Sequence, residues 1–118
     1  MKIKINGKYK VSLENFSKIT EKLQDLMTIE QRELHYFGYN CSDVYESREI
    51  PIMKNLGKKI DKGIFDFEKS KILWKYWVDD VNKAYKKDFG FSFSVADRKK
   101  VAEIKASEFL CDYLEGNK

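Results

Sequence analysis

The residues best suited to thiol catalysis or zinc binding are one histidine, His35, and two cysteines, Cys41 and Cys111. A cysteine nucleophile needs a histidine base within hydrogen-bond reach, and sequence proximity alone does not supply that approach. A zinc site built from these three and Asp43 would match no recognised ligand spacing. His35 stands beside two aromatic residues in a predicted helix, which is typical of an ordinary surface or core histidine. We therefore predict no catalytic residue, no metal site and no enzyme.

Carboxylates and glycines offer no further chemistry. Asp79 and Asp80 are adjacent in a predicted helix, so their side chains point about 100° apart and cannot face each other as an acid–base pair. Gly57 and Gly63 do not follow a predicted strand, so they do not form a phosphate-binding loop. We predict no cofactor. The cysteines are far apart and lack CxxC spacing, which favours free thiols over the alternative of a disulfide.

The basic residues suggest a weaker, nonspecific chemistry. The net charge is +4, and lysines far outnumber arginines, which disfavours bidentate reading of phosphate or guanine. Lysines cluster at 54–62, 69–75 and 83–87, with Arg98 and two lysines at 98–100. On one side of the molecule, these clusters would attract nucleic acid in a salt-dependent manner. Acidic residues are interleaved almost everywhere, so direct nucleic-acid binding is the alternative hypothesis.

The element most clearly defined by the sequence is a helix over 66–89 that carries both tryptophans. Its apolar residues fall within an arc of about 140° at 100° per residue. The arc contains Leu73, Trp74, Trp77, Val78, Val81, Ala84 and Tyr85. Two lysines in the last turn, followed by Gly90, predict the end of the helix. We interpret the tryptophan face as core.

Ile72 and Tyr76 do not fit that arc. They are four residues apart and emerge together on the polar side, between Lys75 and Lys83. Two interpretations stay open: another segment covers them, or they form an exposed apolar pair that marks a partner-binding surface. In the second case we expect a protein partner to contact Ile72, Tyr76, Lys75 and Lys83.

Residues 1–13 predict a β-hairpin, because apolar residues alternate with lysines around Asn6-Gly7. A three-residue loop over 5–7 would pair Ile3 with Tyr9 and Met1 with Val11. This register would gather four lysines on the other face, namely Lys2, Lys4, Lys8 and Lys10. The lysine face either keeps the strand edges soluble or binds an anionic partner.

The remaining segments complete a single domain over 1–118. Residues 14–37 predict one or two helices, with a capping-box pattern at Thr28 and Gln31. Residues 38–51 are expected to be irregular, residues 52–61 a short helix, and residues 95–115 a C-terminal helix. Alternating phenylalanines at 89–93 indicate either an extended aromatic segment or a connector inserted into the core. The predicted fold class is α+β, mainly α: an N-terminal hairpin packed on a bundle of about four helices, with the tryptophan helix at its centre.

The predicted function is non-catalytic binding to a macromolecule. The sequence contains no signal peptide pattern and no run long enough to span a membrane, so we expect a cytoplasmic protein without membrane contact. The short chain, rich in lysine, asparagine and isoleucine, is similar in style to accessory proteins of phages and mobile elements. Many of those inhibit a host or defence machine, so an anti-defence inhibitor of a nucleic-acid-handling protein is one hypothesis. A nucleic acid could then be engaged directly or through that partner.

Overall fold

The structure is a computed structural model that describes residues 2–5 and 9–116, and the side chains of residues 14–115. Two short strands come first, β1 (Lys2–Ile5) and β2 (Tyr9–Ser12). Five helical segments and one further strand follow. The first two segments are α1 (Leu13–Asp25) and α2 (Ile29–Tyr39). The third is a continuous run made of α3 (Ser42–Val44), a π-helical turn (Tyr45–Glu49) and α4 (Ile50–Asp61). Strand β3 (Ile64–Phe65) follows, and the last two segments are α5 (Phe67–Phe89) and α6 (Val95–Gly116).

Residues 14–37, left open as one helix or two, fall in two helices. Thr28 separates α1 from α2, and its backbone is extended. The Thr28 hydroxyl accepts a hydrogen bond from the Gln31 backbone N–H, and the Gln31 side chain accepts one from the Thr28 N–H. This reciprocal capping satisfies two N–H groups that have no partner at a helix start, so the chain begins a new helix here.

The prediction that residues 38–51 are irregular is wrong. Helix α2 continues to Tyr39, and residues 42–49 form α3 and the π-helical turn, which leads into α4 without a break. Ile50 is helical although it precedes Pro51, and its N–H bonds to the carbonyl of Tyr45, five residues back. Pro51 has no backbone N–H to donate. It lies in the first turn of α4, where the π-helical turn already interrupts the regular hydrogen-bond pattern. The proline is therefore accommodated inside the helical run.

Helices α5 and α6 form the centre of the core. Trp74, Trp77, Val78 and Val81 of α5 are completely buried, as the tryptophan arc predicts. Along α6, residues 101–111 are buried except Glu103, which is half-buried. Ala102 and Ala106 let the two helices approach closely, and Phe109 lies 5.5 Å from the Trp74 ring. The centre of the molecule is thus shared by α5 and α6, whereas the sequence pointed to the tryptophan helix alone.

The predicted fold class, α+β with an N-terminal hairpin packed on about four helices, is wrong. The five helical segments make the domain essentially all-α, and the strands are only four, four and two residues long. The pairing also differs from the predicted register by two residues: Ile5 is opposite Tyr9, Lys4 opposite Lys10 and Ile3 opposite Val11. Apolar alternation indicates that strands form, but it does not indicate how little of the fold they make up.

Two further predictions concern the chain as a whole. Cys41 and Cys111 are both free thiols, as their spacing indicates. Among the described residues, no helix combines the length and apolar character needed to cross a membrane.

Candidate interaction surfaces

Ile72 and Tyr76 are both exposed on α5, with 58% and 53% of their surface accessible. The opposite face of this helix carries the completely buried tryptophans. The exposure of the two residues therefore follows from the position of α5: one side forms the core, and neighbouring elements cover the other side only in part. We call Ile72 and Tyr76, with the flanking Lys75 and Lys83, the α5 surface.

Ile72 also lines a groove of about 290 Å³ between α5 and α6. Ile72 of α5 and Ala102 of α6 supply apolar lining to this groove. The other lining residues are charged, namely Glu68, Lys71, Lys75, Lys99 and Glu103. A concave apolar site with polar groups at its edge is the usual form of a site that seats a partner's side chain.

Tyr76 is contacted by the segment that was expected to be irregular. Arg48 of the π-helical turn lies 5.9 Å from the centre of the Tyr76 ring, and its Nε donates to Asp80 Oδ2 at 2.7 Å. This segment therefore reaches the edge of the α5 surface and holds a guanidinium there. Tyr76 nevertheless keeps half of its surface exposed. Of the two alternatives derived from the sequence, the structure has the exposed pair.

The lysines predicted to join the α5 surface are in different environments. The Lys75 ammonium donates to Asp79 Oδ2 at 3.1 Å, and Arg98 Nη1 donates to the other oxygen of the same carboxylate at 3.2 Å. Lys83 is exposed. Lys8 lies outside the described residues, as do the side chains of Lys2, Lys4 and Lys10. The structure thus brings Lys75 and Lys83 to the same helix as Ile72 and Tyr76.

Many described basic groups near α5 and α6 are paired with carboxylates, which weakens the attraction of this side of the molecule for an anionic ligand. Lys71 lies 3.0 Å from Glu68, and Lys100 lies 3.2 Å from Glu103. Together with the pairs at Asp79 and Asp80, these contacts neutralise much of the charge that nucleic acid would need.

A polar network centred on the buried residues His35 and Glu108 was missed by the sequence analysis. The Glu108 carboxylate of α6 accepts hydrogen bonds from Gln24 Nε2 at 2.6 Å and from the Tyr39 hydroxyl at 2.9 Å. His35 Nε2 lies 2.7 Å from Glu108 Oε1, so this nitrogen carries the proton that the carboxylate accepts. The lone histidine is therefore a buried structural partner of α6.

The network changes the acidity of its members. Burial by itself would raise the pKa of Glu108, but the hydrogen bonds from His35, Gln24 and Tyr39, together with the charge of His35, lower it below its usual value. Burial raises the pKa of Tyr39, and the adjacent Glu108 carboxylate raises it further. Asp112 has a raised pKa because of burial and of repulsion by Glu108 and Glu115.

A buried ion pair lies beside this network. The Lys105 ammonium donates to Glu49 Oε2 at 3.3 Å, and both side chains are less than one-tenth exposed. The same ammonium lies 4.2 Å from the centre of the Tyr39 ring, 4.9 Å from Trp77 and 5.1 Å from Trp74. The sequence contained a signal for this arrangement, because Lys105 lies about 40° from Phe109 around the helix, at the edge of the apolar face of α6.

The sequence analysis also left unresolved an exposed cluster of aromatic rings at the C-terminal end of α5. Phe89 is 64% exposed and Phe91 51% exposed, whereas Phe93 is buried. Together with Phe37 and Tyr85, these residues make up what we call the aromatic patch. The alternating phenylalanines were the signal. Phe93 inserts into the core, as the connector interpretation predicts, whereas Phe89 belongs to α5 and Phe91 faces solvent.

The residues considered for catalysis and zinc binding are not assembled into one site. His35 is engaged with Glu108, and Cys111 lies 3.4 Å from the Thr20 hydroxyl. Within the described part of the chain, no three histidine, cysteine or acidic side chains are grouped so that they could hold a metal ion.

Comparison with known proteins gives no match, whether to a protein family, to a curated protein or to a solved structure. The proposals below therefore rest on the residues of this chain alone.

Proposed function

We propose that this chain is a non-catalytic binding protein whose partner is another protein, contacted through the α5 surface. The observation that carries the proposal is the exposure of Ile72 and Tyr76, one turn apart on a helix whose other face is the core. Because each side chain is already about half covered, burying the rest against a partner contributes about half of the roughly 1.5–3 kcal/mol of complete burial. Tyrosine with an adjacent arginine, as at Tyr76 and Arg48, is also typical of energetically important interface residues.

A protein partner is favoured over nucleic acid by the balance of charges around the α5 surface. Arg48, Lys75 and Arg98 all pair with aspartates of α5 itself. Mixed charge around an apolar centre is the usual composition of a protein–protein interface, whereas nucleic-acid sites carry an excess of unpaired positive charge. Inhibition of a nucleic-acid-handling protein, the hypothesis based on size and composition, is one form that such binding would take.

Affinity capture from a lysate tests the proposal. Wild type, Ile72→Asp and Tyr76→Ala would each serve as bait, with and without nuclease treatment. Ile19→Asp is the matched control, because Ile19 is an exposed isoleucine on α1, 47% accessible. We expect a partner that survives nuclease, is captured by wild type and by the Ile19 variant, and is lost with either α5 variant.

Thermal unfolding followed by circular dichroism accompanies the capture. The α5 variants should melt within a few degrees of wild type, since exposed substitutions usually change stability by less than about 0.5 kcal/mol. Titration with DNA and RNA at two salt concentrations tests the alternative. Tight, salt-sensitive nucleic-acid binding without a nuclease-resistant protein partner would contradict the proposal.

A further inference from the structure

The aromatic patch extends from the core to the surface. Tyr85 lies 4.8 Å from Phe93, 4.7 Å from Phe89 and 5.1 Å from Phe37, measured between ring centres, and Phe91 lies 5.0 Å from Phe93. Phe93 is buried, Tyr85 and Phe37 are half-buried, and Phe89 and Phe91 are mainly exposed. The two exposed rings are therefore the outer members of one continuous cluster.

The backbone that carries the exposed rings is held in place. Gly90 ends α5 in a left-handed conformation, and its N–H donates to the Lys86 carbonyl at 2.7 Å. The buried Asn82 side chain donates to the Ser92 hydroxyl at 3.2 Å and accepts the Phe93 backbone N–H at 2.8 Å. Because these bonds fix the connection between α5 and α6, a partner would meet a preformed aromatic surface and would not have to order it.

Charges of opposite sign flank the aromatic patch. On the α2 side lies Glu33, whose Oε1 accepts a hydrogen bond from the Tyr85 hydroxyl at 3.5 Å. Phe37 and Gly38 place α2 against the Trp77 and Tyr85 side of α5. Lys86 follows Tyr85 by one residue, about 100° around α5 and away from α2. The patch therefore has an acidic residue, Glu33, on one side and a basic residue, Lys86, on the other.

We propose that the aromatic patch binds the same patch of a second copy of this chain. A two-fold interface brings one surface against itself, so it needs a self-complementary pattern. An apolar centre between an acidic and a basic border has that pattern: a two-fold rotation sets the Lys86 of each copy against the Glu33 of the other. Phe89 and Phe91 would then pack between the copies, where aromatic residues are the usual centre of an interface.

The two surfaces do not compete. Tyr85 and Phe89 project to one side of α5, and Ile72 and Tyr76 are rotated from them by roughly 100–180° around the helix. Tyr76 and Tyr85 are also nine residues apart, roughly 14 Å along the axis. A dimer built on the aromatic patch therefore leaves Ile72 and Tyr76 of each copy accessible to the partner proposed above.

Sedimentation equilibrium of the full chain over a range of concentrations tests the proposal. We expect a reversible monomer–dimer equilibrium, with Phe91→Asp raising the dissociation constant by at least about tenfold. Ile72→Asp is the matched control, since it adds the same charge to an exposed apolar residue elsewhere and should leave the constant unchanged. A chain that stays monomeric at every concentration, or a dimer insensitive to Phe91→Asp, would overturn the proposal.

A charge exchange tests the two-fold arrangement. Lys86→Glu alone and Glu33→Lys alone should each weaken the dimer, because each places like charges opposite each other twice. A mixture of the two variants should form a heterodimer more stable than either homodimer, since both contacts are then attractive. A mixture that associates no better than the separate variants would refute this pairing. If the chain is monomeric and Phe91→Asp instead abolishes capture of a lysate protein, the patch binds a different protein and the second-copy proposal is wrong.

Discussion

Lys105 is a charged residue in the interior, and its environment explains why it is tolerated. The ammonium has one carboxylate partner, Glu49, and three aromatic rings around it. Cation–π contacts of a desolvated ammonium contribute about 2 kcal/mol, which offsets part of the cost of removing it from water. This pair also joins the π-helical turn to α6, so two separate parts of the chain depend on it.

Lys105→Met should lower the free energy of unfolding by about 3–5 kcal/mol, because it leaves the Glu49 carboxylate buried without a cation. Urea denaturation measures the change. The double variant Glu49→Leu/Lys105→Met removes both charges and should recover most of the loss. A double variant as unstable as the single one would show that packing around the three rings, and not the unpaired charge, dominates.

Glu108 should make stability depend on pH in the acidic range. Its pKa is lowered in the folded protein, so the unfolded chain binds more protons as pH falls, and the free energy of unfolding decreases. The contribution of Glu108 to the free energy of unfolding is complete above the pKa of this residue in the unfolded chain, near 4.5. It is lost as pH falls through the lower pKa that Glu108 has in the folded protein. Unfolding of wild type and of Glu108→Gln between pH 7 and pH 3 measures it. The variant should be less stable at neutral pH and lose less stability on acidification; parallel curves would contradict the assignment.

At the scale of elements, Gly38 controls how closely α2 approaches α5. A Cβ at this position would lie 2.5 Å from the buried Trp77 ring, which is too close for a real contact. The Trp77 side chain is completely buried and has little room to move. Helix α2 can therefore pack on the tryptophan face only with a glycine there.

Gly38→Ala should destabilise the protein by about 1–3 kcal/mol through overpacking, although alanine is the better helix former. Gly57→Ala in α4 is the control, because its Cβ would meet the half-buried Tyr113 ring at 3.1 Å, a milder approach than the 2.5 Å at Gly38. We expect a smaller loss for the control, measured by the midpoint of thermal unfolding. Equal losses would indicate that α2 does not depend on this close approach.

The helices were predictable because their apolar period is local. The predicted bounds 66–89 and 95–115 differ from those of α5 and α6 by one residue at an end. The π-helical turn was not predictable, since it depends on a hydrogen bond between Ile50 and Tyr45 that no residue pattern indicates.

The exposure of Ile72 and Tyr76 depends on which other elements cover α5. The sequence could therefore indicate the pair but could not decide between its two interpretations. Glu108 and Lys105 were missed because their partners come from distant segments.

At the scale of the whole molecule, the α5 surface and the aromatic patch lie on different sides of one long helix, and the proposals assign them separate roles. If both are correct, substitutions at one surface should leave the other's activity unchanged. Ile72→Asp should abolish partner capture and keep the dimer, while Phe91→Asp should abolish the dimer and keep capture within about twofold, since distant sites usually act additively. Capture and sedimentation of both variants measure this. Loss of both activities in either variant would show that the surfaces are coupled.

Because of the π-helical turn, the fold depends on the number of residues between Val44 and Glu49. Residues five apart in a regular α-helix point about 140° apart, yet Val44 and Glu49 are both buried. The wider turn allows this and leaves Arg48, the residue before Glu49, free to reach Asp80 on the outside. An inserted residue here would rotate the preceding helical residues, including Val44, relative to α4. Exposed positions such as Ser47 should therefore accept many replacements, while the length of this stretch should vary little among any relatives of this protein.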